Sequence, residues 1–199
     1  MSAEKKDSIL QSMIKGSSLG YTDNFPKREM WKEITKELEG EFKTKYTPGY
    51  DLEIHDISIP YKKWIIKISV SDSRPVKFQI SFIPSQDFYL ILSWEDFIDR
   101  IMKRFSKAEI ELGWREFDKH YLIKSNRSDL VKKTITKAIQ KTLLNHNVYS
   151  LSYQTDSAKE TAVLISVIQR RAGNKVMMFE LINTFKLLID NFEKARIIK

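Results

Sequence analysis

The sequence predicts an α+β fold: an antiparallel-rich sheet of about seven strands, in a four-stranded meander plus later strands, covered by three to four helices. Three observations lead there. Large apolar side chains alternate every second residue from Tyr50 to Leu92. They recur every three to four residues in the segments before and after that stretch. The resulting order, α-ββββ-α-β-α-ββ-α, suits antiparallel pairing better than a doubly wound parallel sheet.

Residues 1–24 contain a short amphipathic turn (Ile9, Leu10, Met13, Ile14) followed by Gly- and Ser-rich turn chemistry, and are expected to form a flexible N-terminal segment. Residues 25–199 are read as a single α+β domain, with a point of subdivision near 107–115. Pro26 to Lys45 sets Trp31, Ile34, Leu38 and Phe42 on one side of a helix, with Pro26 suited to its first turn. Glu29, Glu33 and Glu37 lie among Lys32 and Lys36 at four-residue spacing, which gives a solvated, salt-bridged face.

Trp64, Ile66, Ile68 and Val70 form the apolar side of one strand, and Val76, Phe78, Ile80 and Phe82 that of the next. The turn at Ser71–Pro75 joins them into a hairpin. Tyr50–Ile57 and Asp87–Leu92 complete the expected four-stranded meander. Ser93, with Asp96 three residues on, predicts a helix start, and Trp94, Phe97, Ile98, Ile101, Met102 and Phe105 keep helical spacing after it.

A strand is expected over Phe117–Lys124 and a third helix from Ser128 to Asn145. A second hairpin follows, Val148–Gln154 with Thr161–Gln169. Its second strand is so apolar that it belongs in the middle of a sheet. The last helix, Lys175 to Glu193, is apolar around most of its circumference, so it is expected to pack on more than one side.

Composition narrows the function classes. No cysteine is present, which excludes thiol catalysis, thiolate metal sites and disulfides, and suits a reducing compartment. No signal-like or bilayer-spanning apolar run appears, so a cytoplasmic location is expected. The six glycines are isolated, leaving no dinucleotide fingerprint or phosphate-cradling loop, and no nucleophile elbow or His-Glu-x-x-His pair occurs. Neither a cofactor nor a metal is expected.

The net charge of +8 sits in the second half: residues 101–199 carry 19 Lys and Arg against 10 Asp and Glu, whereas residues 1–100 carry 15 against 16. An acidic protein or nucleic acid is the partner class this suggests. Of the 34 cations only 9 are Arg, the residue that reads phosphates and bases with a planar fork.

Phe117-Asp118-Lys119-His120-Tyr121, continuing to Ser125-Asn126 and a following helix, resembles a motif of uncharacterised conserved bacterial proteins. In that motif Phe-Asp-Lys-x-aromatic opens a strand and a Ser-Asn junction starts the next helix. The resemblance spans residues 113–145 and departs from the pattern at Arg127, where an acid is expected. It implies no activity and no site residue.

Four groups of side chains are candidates for chemistry. Asp118 and His120 would share one face of a strand, an arrangement that can orient an imidazole for base catalysis, though no third convergent group accompanies them. Lys132, Lys133, Lys137 and Lys141 form a basic stripe on the third helix, fit for an acidic partner but without interleaved aromatics for stacking bases. Arg170, Arg171 and Lys175 bracket the start of the last helix, where an anion is favoured. Trp114 and Tyr121 could form an exposed binding edge. The expectation is a non-enzymatic binding or interaction module, with nucleic-acid or acidic-partner binding through the basic half as the alternative and an enzyme built around Asp118 and His120 as the second.

Overall fold

The computed structural model describes residues 25–47, 53–71, 74–94, 109–156, 160–168 and 174–199. Within them lie α1 (Phe25–Glu37), β1 (Glu41–Tyr46), β2 (Glu53–Tyr61), β3 (Trp64–Ser71), β4 (Val76–Phe82), β5 (Leu90–Trp94), α2 (Arg115–His120), β6 (Tyr121–Ser125), α3 (Ser128–Thr134), α4 (Lys137–Asn145), β7 (Val148–Asp156), β8 (Thr161–Ile168) and α5 (Lys175–Lys194). The eight strands form one antiparallel sheet in the order β1-β2-β3-β4-β8-β7-β5-β6.

Alternation sets the inner face. Ile57 and Ile59 of β2, Ile66 and Ile68 of β3, Phe78 and Ile80 of β4 and Leu164 of β8 are all buried beneath the helices. They form one hydrophobic cluster with Trp31 and Ile34 of α1, Val131 of α3, Ile139 and Leu143 of α4, and Phe185 and Phe192 of α5. The expected packing of α5 on more than one side is met by α1, α3, α4 and the sheet. Phe185 stacks obliquely on Phe78 at 4.7 Å, and Phe192 meets Tyr153 edge-on at 5.1 Å. Each such fully buried aromatic contributes roughly 1.5–3 kcal/mol relative to exposure. Buried residues from both sides of 107–115 share this core.

Several expected elements shift. The first helix stops at Glu37, and Phe42 lies in a strand instead. Glu39 has a positive φ of 52°, and a Cβ on Gly40 would come within 2.5 Å of the Ser58 carbonyl oxygen. The chain therefore reverses there and runs back as β1 against β2. The four-stranded meander is accordingly β1–β4. Asp87–Leu92 does not continue it: β8 occupies the free edge of β4, and β5 lies between β7 and β6. As its composition requires, β8 is central.

Ser93 and Trp94 end β5 rather than opening a helix, and the rest of that expected helix, like the N-terminal segment 1–24, lies outside the described residues. The strand expected from Phe117 begins at Tyr121, because Arg115–His120 is helical. The single helix expected over Ser128–Asn145 is two, broken at Ile135 and Thr136.

Candidate anion-binding cleft

Each candidate group is placed by local hydrogen bonding. Asp118 lies in α2, and its two carboxylate oxygens accept the backbone N–H groups of Leu112 and Gly113, both at 2.9 Å. That arrangement closes a turn in which Gly113 has φ 82°. His120, two residues further along the same helix, points to a different side. Its ring packs edge-on against Trp94 at 5.0 Å and Tyr121 at 5.1 Å. The shared strand face that would have made Asp118 and His120 a dyad does not form.

Tyr121 is buried, with its hydroxyl between the Leu143 and Val148 carbonyl oxygens at 2.9 and 2.8 Å. Trp114 stacks on Phe117 and is covered by the Lys137 ammonium, 3.6 Å from the ring centroid. An exposed edge of Trp114 and Tyr121 is therefore not built. Among the described residues, no group of three or more His, Asp or Glu side chains could hold a metal ion.

The break between α3 and α4 disperses the basic stripe. Thr134 turns its hydroxyl back onto the Leu130 carbonyl at 2.8 Å. The carbonyls freed at the break are taken up by side chains: Asn191 Nδ2 donates to Thr134 O and Gln140 Nε2 to Ile135 O, both at 2.9 Å. Lys132 faces shallow concavities with Glu109 and Glu111. Lys137 lies over Trp114, and Lys141 is exposed on α4. Of the four, Lys133 enters a cleft with another cation, Arg196, that has no carboxylate partner among the described residues.

Arg170 and Arg171 lie outside the described residues. Lys175 is held by Glu33 at 3.2 Å and by Glu37 of α1, which raise its pKa and dock α5 on α1. The α5 N-terminus is capped by Asn174, whose Oδ1 accepts from Met177 N at 2.8 Å. The small-anion site expected at Lys175 is thus satisfied from within the protein.

An open concavity of about 590 Å³ lies where the β4–β5 link, α3 and the C-terminal turn meet. Ser85 and Gln86 come from the β4–β5 link, Arg127 from the residue before α3, Asp129, Leu130 and Lys133 from α3 itself, and Ala195, Arg196 and Ile198 from the C-terminal turn. Asn126 ties the first two together: its Oδ1 accepts from Tyr89 N at 2.9 Å and its Nδ2 donates to Asp87 O at 3.2 Å. Gln86 Nε2 holds the third through the Arg196 carbonyl at 3.0 Å, and Ser85 N donates to Ile197 O at 2.8 Å.

Arg127 makes a two-pronged pair with Asp129, Nε to Oδ1 and Nη2 to Oδ2, both at 3.0 Å. The guanidinium holds that carboxyl below the usual carboxylate range. Among the described residues, no carboxylate pairs with Lys133 or Arg196. The cleft therefore has a net excess of two positive charges on a polar, open surface.

Neither a family model nor a curated relative matches this chain. It is similar in fold to the crystal structure of the mycobacterial trehalose monomycolate transport factor A, TtfA, with a TM-score of 0.54, 7% identity, and coverage of 83% of this chain and 93% of that chain. At that identity the likeness is one of fold.

Sequence reasoning found Lys133 but missed Arg127 and Arg196. Both stand singly in the sequence, and only the closure of the C-terminal turn onto the β4–β5 link brings them to Lys133.

Proposed function

We propose that this chain is a non-enzymatic binding module that receives a carboxylate-rich segment of an acidic partner protein in the Arg127–Lys133–Arg196 cleft. The observation that carries this reading is the convergence of Lys133 and Arg196, without carboxylate partners among the described residues, beside the Arg127–Asp129 pair. An open cleft with two surplus cations attracts anions at long range and is screened by salt. Nucleic acid is less well served. The cleft offers no aromatic platform for a base, and the lysines that would have tracked a phosphate backbone along one helix point to separate places. Absence of cysteine suits the reducing cytoplasm in which we place it.

The test is equilibrium binding of a fluorescent polyglutamate peptide to the full chain, with a single-stranded oligonucleotide of equal charge as the second arm. Lys133→Glu and Arg196→Glu should each weaken peptide binding by about tenfold, roughly 1.4 kcal/mol. Asp129→Asn should strengthen it severalfold by releasing Arg127. Affinity unaffected by all three substitutions, or tight oligonucleotide binding lost on reversing Lys137 and Lys141, would overturn the proposal.

A further inference from the structure

The described helices cover one face of the sheet, yet β8 is aliphatic on both. Ala162, Leu164 and Ile168 point inward and are buried, while Val163, Ile165 and Val167 point outward and are only partly covered. A strand bathed on one side normally carries polar residues there, and one aliphatic on both sides belongs between two layers. Across the register the outward residues of β8 stand between polar neighbours: Ser81, Gln79 and Lys77 on β4 and Gln154, Ser152 and Ser150 on β7. Ile65 on β3, 52% exposed and two residues along the strand from Lys67, adds apolar surface on the far side of β4. On the other side the patch ends at β5, whose outward Ile91 and Ser93 are buried.

Charge on this face is one-sided near the ridge. Lys67 and Lys77 are exposed and, among the described residues, have no carboxylate partner. The carboxylates of the face stand at its margins: Glu41 and Asp56 are held by Lys43 and Lys45 toward β1, and Asp156 ends β7. The ridge from Val163 to Val167 is about 13 Å long at 3.3 Å per residue. That length matches about nine residues of helix, between two and three turns.

We propose that this open face docks an amphipathic helix of a partner protein, its aliphatic stripe on Val163, Ile165, Val167 and Ile65 and its flanking Glu or Asp residues toward Lys67 and Lys77. A bilayer surface fits less well, because the ridge is one strand wide, has serine and glutamine shoulders, and carries no protruding aromatic side chain.

The probe is a synthetic helical peptide of about 18 residues with a leucine stripe flanked by glutamates, titrated into the full chain and followed by fluorescence anisotropy. Ile65→Glu, Ile165→Thr and the Lys67→Glu/Lys77→Glu pair should each weaken binding by about tenfold. Lys133→Glu should leave it unchanged, which separates this surface from the cleft. Ile65 and the two lysines are exposed, so those variants keep the circular dichroism of the parent. Equal binding of a scrambled peptide would overturn the proposal. So would cross-links placing the chain's own residues 95–108 or a second copy over Ile165, or anionic phospholipid vesicles binding this face where the peptide does not.

Discussion

Ser166 sits on the inner side of β8 between Phe78 and Leu151, fully buried, with no hydrogen-bond partner for its hydroxyl among the described residues. An unpaired buried hydroxyl carries its desolvation cost without return, so Ser166→Ala should stabilise the fold by about 1 kcal/mol in urea unfolding; a comparable loss would show that the hydroxyl has a partner. Two buried phenols make the fold alkali-sensitive. Burial pushes Tyr121 and Tyr153 from 10.0 up to about 12. Above pH ~10 the unfolded chain gives up protons that the folded chain keeps, so the contribution of these groups is complete below that pH and is lost as pH rises toward 12. Tyr153→Phe should flatten that alkaline decline while leaving stability at neutral pH little changed, as read by melting temperature against pH. The residue scale was also where sequence reading erred most. Asp118 and His120 look like a pair only if the segment is a strand, and what makes it helical instead is a contact six residues back, Asp118 to Leu112 N, that no periodicity reveals.

At the scale of the element, the α3–α4 junction shows how a helix breaks without proline or glycine. Val131, Ile135, Ile139 and Leu143 keep helical spacing straight through it, which is why the sequence reads as one helix. The break exists because Gln140 and Asn191 replace the lost backbone partners of Ile135 and Thr134. Gln140→Met keeps the volume but removes the donor, and should cost about 1–3 kcal/mol with faster amide exchange confined first to residues 134–140. An unchanged exchange pattern would mean that the junction is held by packing alone. A second device, at the β2–β3 turn, joins the sheet to α5. Burial alone would raise the Asp190 carboxyl, but Lys62 at 2.6 Å and the Tyr61 hydroxyl at 2.9 Å hold it below the ordinary range. In this device the partners are more than 120 residues apart.

For the whole molecule, the two apolar rhythms were enough to make the fold class legible. They place Trp31, Trp64 and Phe78 in one core and β8 in the centre of the sheet. Strand order was not legible, because β5 and β8 both carry largely apolar inner faces and either could complete the edge of β4. The cleft was hidden for the same reason: it is made by closure of distant connections, not by a motif. Its central claim is tested most directly by a backbone amide titration of the isotopically labelled full chain with the polyglutamate peptide. Shifts confined to residues 85–86, 127–133 and 195–198, fading as salt is added, are the predicted result. Shifts centred on Lys137 and Lys141, or none at low salt, would contradict it.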